Sequence, residues 1–440
     1  MCPRAMPQLT DPEDICRHGN ASVSCTSRIP VVASGMASLQ FDEGVRERKK
    51  GPPVRVLFST PPLTGHLHPL VPLARSLVAA GHDIAFASAA AFCPTIEAIG
   101  FRCFPAGIGW GTPPPALPGP PPPIGGPRWK FWITDLAPPM IEDLAGICDA
   151  WHPDLLVRDT SEYGACVVGE SRGIPCASVA AGAMVSDYRR RWEIAAHLAW
   201  LRERYGLAPD PEVEMPFRFL TLAFMPRRFH DATHAFCPTT HFFRPDLFDR
   251  SGDEDLPTWV AALPNQPTVY ATLGTLSNHR IGTFTVILDA LRDEPLTLVL
   301  TIGRDGDPAR FGAQPANVHI ERYIPQSLLL PHCDLMVCQA GFSTVMGALS
   351  AGLPVVAFPI EADQPVHAAR VAALALGRVI EPADIIPATV QDAVRAVLAD
   401  PTYQTNAERV RDEIAALPGP DRAVELLERL EAEKQPLLTA

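Results

Sequence analysis

Two side chains that can move protons follow predicted strands in the first half of the chain. His66 comes after the buried strand VRVLFST, and histidine titrates near neutral pH, so it suits a general base. Asp159 ends the strand PDLLVRD, where a carboxylate could orient a neutral imidazole and stabilise its protonated form. Each also has a plainer interpretation, His66 as a capping or exposed histidine and Asp159 as a helix cap. His68 and Glu162 are the neighbouring competitors.

A third candidate is the turn CQAGFST, which lies between a predicted strand and a predicted helix. Gly341 permits a tight turn, and Ser343 or Thr344 can cap the helix that follows. Amides at a helix start carry partial positive charge and favour an anion. An ordinary strand-to-helix cap is the alternative.

Two further polar turns follow strands of the second half, where open parallel sheets bind their ligands. The turn LGTLSN offers Gly274 and Thr275 as an amide and a hydroxyl for a phosphate. In PIEADQPVHAAR, Asp363 and Gln364 follow a buried strand, and an acid–amide pair can take several sugar hydroxyls. A helix start with Asp363 as its cap is the alternative.

The elements around these residues alternate as strand–helix–strand, which predicts parallel sheets. The segment GHLHPLVPLARSLVAAGH, residues 65–82, predicts a helix that ends at Gly81. A polar, Pro-bearing stretch then interrupts the alternation before it starts again, so we expect two Rossmann-like domains and one linker. The predicted division is a disordered leader at 1–53, a first domain at 54–245, a linker at 246–266, a second domain at 267–415 and a carboxyl-terminal helix at 416–440.

Two segments fit neither domain. Residues 1–50 lack periodicity and a signal-peptide pattern, so we interpret them as disordered or as lying upstream of a start near Met36. Residues 112–127, TPPPALPGPPPPIGGP, predict an extended loop that serves as a lid, as a binding loop or as a linker.

Composition excludes several classes of protein. The chain has 440 residues, 47% of them hydrophobic and 20% charged, and a net charge of −12, which argues against a nucleic-acid surface. The longest apolar runs are roughly half of what a bilayer span needs. Eleven cysteines without Cys-x-x-Cys pairs, Cys103 among them, predict reduced, mostly buried thiols in a cytoplasmic protein. Metal-ligand spacing and the Gly-x-Gly-x-x-Gly dinucleotide fingerprint are absent from the sequence.

Together these motifs resemble the nucleotide-sugar glycosyltransferases of the GT-B fold, in the bacterial type of the UGT-like family 1 that modifies natural products. The segment from ERYIPQ to HAARV, residues 321–371, resembles the donor-binding signature of that family in order and spacing. GHLHPLVPLARSL and PDLLVRDTSEYGACVVGESRGIP resemble its amino-terminal motifs. The resemblance implies an α/β protein with two Rossmann-like domains facing a central cleft, and a carboxyl-terminal helix that returns to the first domain.

The resemblance also implies residue roles. His66 would be the base that deprotonates the acceptor hydroxyl, and Asp159 its partner. The residues implied at the phosphates are Gly274, Thr275, Gln339, Gly341, Ser343 and Thr344. Tyr323 would stack on the nucleobase, the backbone of Ile324 would meet the base edge, and Gln326 would contact the ribose. Asp363 and Gln364 would bind the hydroxyls of the donor sugar.

The sequence departs from the family pattern at Gln339, where a histidine is usual. Gln339 can donate through its amide but carries no charge. Since a charge-assisted hydrogen bond is roughly twice as strong as a neutral one, we expect a loss of about 1–2 kcal/mol unless another contact compensates. Gly347 stands where many plant members have a ribose-binding Glu, and Tyr323 replaces the usual Trp.

The expected activity is that of an inverting, metal-independent hexosyltransferase without a cofactor, which transfers a sugar from a TDP- or UDP-linked donor. Trp129, Phe131 and Trp132 suggest a hydrophobic acceptor, although each could be a core residue. We expect a monomer or homodimer without nucleic-acid or membrane partners. The alternatives are a binding protein with a degenerate donor loop and a nucleotide-sugar epimerase or hydrolase.

Overall fold

The first sheet consists of parallel strands in the spatial order β3-β2-β1-β4-β5-β6-β7. The computed structural model describes residues 52–113, 130–180, 182, 191–230, 236–249 and 254–439. Trp129, the predicted leader up to residue 51 and most of the Pro-rich loop lie outside these residues. The strands are β1 (Arg55–Ser59), β2 (Asp83–Ser88), β3 (Arg102–Pro105), β4 (Leu155–Asp159), β5 (Cys176–Ala180), β6 (Leu220–Ala223) and β7 (Thr240–Phe242).

The second sheet is also parallel, in the order β10-β9-β8-β11-β12-β13. Its central strands are wholly buried, which explains their continuous apolar sequences. This pair of sheets confirms the predicted α/β architecture. The strands are β8 (Thr268–Thr272), β9 (Thr297–Thr301), β10 (Val318–Glu321), β11 (Leu335–Cys338), β12 (Val355–Ala357) and β13 (Gly377–Val379).

Helices connect the strands and cover the sheets. The helix predicted over 65–82 is divided, because a 3-10 turn at His68–Leu70 separates α1 from α2, which ends at Gly81 with φ 97°. The helices of the described residues are α1 (Thr64–Leu67), α2 (Val71–Ala80), α3 (Cys93–Ala98), α4 (Ala137–Trp151), α5 (Gly164–Arg172), α6 (Arg191–Arg204), α7 (Ile281–Leu291), α8 (Gln326–Leu329), α9 (Phe342–Ser350), α10 (Gln364–Ala373), α11 (Pro387–Ala399), α12 (Pro401–Ala416) and α13 (Pro420–Glu433).

Each sheet has one point at which the strand order reverses. In the first sheet, β1 pairs with both β2 and β4, so the chain leaves β1 and β4 in opposite directions. In the second sheet, β8 pairs with β9 and β11 in the same way. Ligands of open α/β sheets bind at such switch points. The carboxyl ends of these four strands lead to the candidate residues: His66 lies in α1 after β1, Asp159 ends β4, and Gly274 and Gln339 follow β8 and β11.

The last helix, α13, packs on α2 and belongs to the core of the first sheet, not the second. Its Val424, Leu427 and Leu430 are buried in the same cluster as residues of β1 and β2. The chain then continues to Leu437, whose amide donates to the Phe219 carbonyl at 2.8 Å. The predicted return of the carboxyl-terminal helix is therefore confirmed.

Cys93 and Cys103 form a disulfide between α3 and β3. The expectation of reduced thiols is therefore wrong for this pair, since neighbouring strand and helix ends bring the two cysteines together. Six other cysteines of the described residues are free thiols, most of them buried. Within the described residues, no helix combines the length and the apolar character that a membrane crossing needs.

Candidate active site

His66 and Asp159 form a hydrogen-bonded pair at the switch point of the first sheet. The His66 Nδ1 lies 3.1 Å from Asp159 Oδ1, although 93 residues separate them in the chain. Asp159 is completely buried and its Oδ1 also accepts a hydrogen bond from the Ser161 amide at 2.7 Å. The carboxylate fixes the hydrogen on Nδ1, which leaves Nε2 as the basic nitrogen of the ring. The His66 side chain is 23% exposed, so a solvent-borne ligand can reach this pair.

Asp159 does not cap the next helix. Glu162 does so, because its carboxylate accepts hydrogen bonds from the amides of Gly164 and Ala165 at the start of α5. Glu162 is buried and also accepts from the Ser59 hydroxyl at 2.6 Å, and burial raises its pKa. The capping alternative for Asp159 is therefore wrong, and the neighbouring acid has a structural role.

His68, the neighbouring histidine, is also accounted for by packing. Burial, with a smaller contribution from Arg304, lowers the pKa of His68 to about 4. The ring meets the Phe248 ring edge-on, with centroids 5.2 Å apart. A histidine in this environment stays neutral and does not compete with His66 as the base.

The buried Arg158 shapes the loop that presents Asp159. Its guanidinium donates to the carbonyls of Asp159, Thr160 and Glu162 at 3.2, 3.0 and 2.7 Å, and to that of Pro216 at 3.1 Å. These bonds hold four carbonyls around one charge. Sequence reasoning missed this role, although an arginine inside an otherwise apolar strand was its signal.

Three aromatic rings lie next to the histidine. Trp132 has its ring centroid 5.5 Å from that of His66, and Phe131 and Trp110 follow at 5.2 Å and 6.0 Å from Trp132. Phe131 and Trp132 lie in a π-helical turn, a distortion common at functional sites. Trp110 is 51% exposed and was missed by sequence reasoning, because it lies in a loop without periodicity.

A narrow apolar pocket continues from this aromatic group into the first sheet. Trp132 is one wall, and the rest is formed mainly by apolar residues of the loop after β3 and of α4, with Glu162 as the acidic exception. The aromatic group and the pocket thus offer a hydrophobic surface directly beside the His66 imidazole. Its lining residues include Ile108, Leu136, Met140 and Tyr163.

The switch point of the second sheet brings Gln339 against two glycines. A methyl group built on Gly274 would overlap the Gln339 amide, and one built on Gly341 would lie 2.7 Å from its Nε2. Gln339 is buried, and its Oε1 has no hydrogen-bond partner among the described residues. Thr275 is exposed in the turn beside it. The predicted phosphate-binding turns therefore lie next to each other.

The turn itself differs from the expectation in two respects. Gly341 has an ordinary φ of −63°, whereas Ala340 has the left-handed φ of 64°. Gly341 is therefore needed for space beside Gln339 and not for its backbone conformation. Neither Ser343 nor Thr344 caps α9, since both lie inside its first turn and Gly341, which has no side chain, is the N-cap residue. A cap does not explain these two hydroxyls.

Asp363 and Gln364 begin α10, in contact with the first sheet. Gln364 Oε1 accepts from the amides of Ile360 and Glu361 at 2.8 and 2.9 Å, so a ligand would meet its Nε2. Asp363 occupies the N-cap position of α10, as the alternative expects, but its side chain makes no cap hydrogen bond. Its Oδ2 would lie 2.7 Å from a methyl group on Gly182, in the segment after β5. Asp363 therefore faces the first sheet across the cleft.

Tyr323, the residue expected to stack on the nucleobase, contacts Asp249 and Arg304. Its hydroxyl donates to the Asp249 carbonyl, and the Arg304 guanidinium carbon lies 3.7 Å from the ring centroid. Burial raises the pKa of Tyr323 to about 12, so the phenol stays protonated. Arg304 covers one face of the Tyr323 ring. A nucleobase would therefore stack on the other face of the ring or on the Arg304 guanidinium.

The other predicted base and ribose contacts lie beside Tyr323. Ile324 has a buried side chain, so only its backbone can meet a ligand. Gln326 begins α8 and its Nε2 lies 3.4 Å from the buried Tyr270 hydroxyl. A methyl group on Gly347 would lie 3.2 Å from Leu247 Cδ1, so a glutamate side chain would need Leu247 to move.

The chain is similar to known proteins over most of its length. The family described as "Erythromycin biosynthesis protein CIII-like, C-terminal domain" matches residues 285–430. The 4'-demethylrebeccamycin synthase of Lentzea aerocolonigenes is 29% identical, over 86% of this chain and 99% of that protein. The 10-deoxymethynolide desosaminyltransferase of Streptomyces venezuelae is 28% identical, over 86% and 98%.

Solved structures agree with the sequence comparison. Glycosyltransferase VinC in complex with dTDP is 25% identical, with a TM-score of 0.71 over 86% of this chain and 100% of that chain. Sequence and structure therefore confirm the resemblance to nucleotide-sugar glycosyltransferases. The chain is a glycosyltransferase of the GT-B fold, and it is similar to the bacterial natural-product enzymes of the family 1 type.

Proposed function

We propose that this protein transfers a sugar, with inversion, from a thymidine-diphosphate sugar to a hydroxyl group of a hydrophobic acceptor. The observation that carries the proposal is the His66–Asp159 pair, 3.1 Å apart, beside an apolar pocket at the switch point of the first sheet. A relative's structure holds dTDP, which favours thymidine over uridine diphosphate as the carrier.

In the proposed reaction, His66 Nε2 removes the proton from the acceptor hydroxyl. The oxygen attacks the anomeric carbon, the bond to the diphosphate oxygen breaks, and the nucleoside diphosphate leaves with the electron pair. Asp159 stabilises the imidazolium that forms, since its buried carboxylate already holds Nδ1–H. A single displacement needs no covalent enzyme intermediate, and it inverts the anomeric centre.

The diphosphate would lie at the start of α9. Backbone amides there, the hydroxyls of Ser343 and Thr344 and the amide of Gln339 are neutral donors that stabilise negative charge on the leaving group. We propose that the reaction proceeds with these donors alone, without a metal or a resident cofactor. Among the described residues, no cluster of His, Cys, Asp or Glu could hold a metal ion.

The acceptor would lie on the aromatic surface beside His66. Trp110, Phe131 and Trp132 form consecutive ring contacts that end at the base, so a flat or polycyclic acceptor would stack there with its hydroxyl near Nε2. The pocket behind Trp132 is mainly apolar, with Ser161 and Glu162 as its polar residues. We propose an acceptor with an apolar ring system.

The test is a comparison of wild-type protein with His66→Ala. We expect the variant to lose transfer to a hydroxylated aromatic acceptor by more than about 100-fold, while its calorimetric affinity for TDP stays unchanged. Transfer by the variant at the wild-type rate would overturn the proposed base. Donor consumption by wild-type protein at full rate without acceptor would instead indicate a hydrolase.

A further inference from the structure

His367, on α10, joins two parts of the donor site. It is fully buried, between the rings of Phe229 and Phe342, at centroid distances of 6.4 and 5.5 Å. Its Nδ1 lies 2.9 Å from the Ala340 carbonyl oxygen. A carbonyl only accepts hydrogen bonds, so Nδ1 carries the hydrogen. The ring thus holds a backbone group of the turn that precedes α9.

Ala340 is the residue whose position most needs holding. Its φ of 64° is a left-handed conformation that is unfavourable for a residue with a side chain. It lies between Gln339 and Gly341, so its orientation sets the direction of the Gln339 side chain and of the first amides of α9. The hydrogen bond from His367 fixes this turn from inside the protein.

The opposite edge of the same ring faces the proposed sugar site. His367 Nε2 lies 3.6 Å from Asp363 Oδ2, one helical turn earlier on α10. At 3.6 Å this contact is an ion-pair distance and not a hydrogen bond. Since Nδ1 already carries a hydrogen, Nε2 attracts the carboxylate as the second N–H of an imidazolium ring. A methyl group on Gly182 would lie 2.7 Å from that oxygen and 3.6 Å from His367 Nε2, which places this edge at the cleft.

We propose that His367 is a positioning residue that fixes the diphosphate turn with one nitrogen and the sugar-binding carboxylate with the other. This inference rests on the proposed function, because it assigns Ala340 and Asp363 to the two halves of one donor. His367 itself is buried and does not touch the donor. Its effect on binding is divided between the two contacts, and each can be removed separately.

The test uses two variants that each retain one nitrogen position. In His367→Asn the amide replaces Nδ1 and keeps the contact with Ala340, whereas in His367→Gln it replaces Nε2 and keeps the contact with Asp363. Calorimetry with TDP measures the diphosphate contact. The ratio of the TDP-glucose affinity to the TDP affinity measures the sugar contact.

For His367→Asn we expect TDP affinity within about twofold of wild type and a ratio reduced roughly fivefold, because the ion-pair contact of Nε2 with Asp363 is lost. For His367→Gln we expect the reverse, a roughly fivefold loss of TDP affinity with an unchanged ratio. Thermal unfolding of both variants shows whether they are folded at the temperature of the titration.

Equal losses of affinity in both variants, or no loss in either, would overturn the inference. If the ring only fills space, its two nitrogens make no distinct contributions to binding. Failure of the wild-type protein to bind TDP and TDP-glucose would contradict the proposed function and the inference with it. If the wild-type protein binds both ligands but the two variants show the same losses, the inference is contradicted and the proposed function is not.

Discussion

Asp159 holds His66 with one carboxylate oxygen, Oδ1 at 3.1 Å, while its other oxygen is buried without a hydrogen-bond partner among the described residues. The negative charge of this carboxylate is therefore directed at the imidazole. When His66 takes a proton, the carboxylate of Asp159 compensates the positive charge of the imidazolium. The pair is arranged for the protonated state that forms during the reaction.

Asp159→Asn should lower kcat by about 100-fold or more, because a neutral amide cannot stabilise the imidazolium and can hold the wrong tautomer. The affinity for TDP should not change, since Asp159 lies in the first sheet. Steady-state kinetics and calorimetry measure the two quantities. A variant with normal kcat would show that His66 works without its partner.

Gln339→Ala should weaken TDP binding by about 1 kcal/mol, roughly fivefold, because it removes a neutral donor between Gly274 and Gly341. Gln339→His should bind TDP as tightly as wild type or more tightly, since a charged donor forms stronger bonds. Titrations of the three proteins give the order. An alanine variant with wild-type affinity would exclude Gln339 from the phosphate site.

Gly182→Ala should impair use of the donor sugar, because the added methyl group would lie 2.7 Å from Asp363 Oδ2. We expect a several-fold higher KM for the nucleotide sugar and little change in TDP affinity. Gly146→Ala is the matched control, since a methyl group there meets nothing within 4 Å. If both substitutions behave alike, Gly182 has no part in the sugar site.

Trp110→Ala should raise the KM for an aromatic acceptor by about tenfold, the effect of losing one ring contact of about 1–1.5 kcal/mol. Stability should change little, because the side chain is half exposed. Trp110→Phe retains a ring and should recover most of the affinity. Acceptor kinetics at saturating donor distinguish the variants, and equal KM values for all three would remove Trp110 from the acceptor site.

Glu162 should make the protein less stable as pH rises. Burial raises its pKa in the folded state, so above the ordinary value of 4.5 the folded chain keeps a proton that the unfolded chain releases. The free energy of unfolding of wild type relative to Glu162→Gln should therefore fall from about pH 4.5 upwards. Urea unfolding of both proteins between pH 4 and 8 measures this difference, and a rising difference would refute it.

The sequence predicted the residues that follow strands, because parallel sheets bring the ends of neighbouring strands to one edge. His66 and Asp159 meet since β1 and β4 pair, and their loops were recognisable by chemistry alone. The reason for Gly341 was wrong, because whether a glycine serves space or conformation depends on a neighbouring side chain. Only the three-dimensional structure reveals that Gln339 occupies that space.

Residues that act through distant partners could not be predicted. Nothing in the α10 sequence shows that His367 reaches the Ala340 carbonyl, since that contact depends on how α10 packs against the turn before α9. The same holds for the four carbonyls around Arg158, one of which comes from Pro216, 58 residues away. Periodicity reports burial, but it does not identify the partner.

The packing of α13 on α2 means that the first domain is discontinuous in the chain. During synthesis, its core stays open at α2 until α13 has left the ribosome, so the second domain can fold before the first is complete. The same connection governs hybrid enzymes. An exchange of acceptor domains between relatives must transfer the last helix together with the first half of the chain.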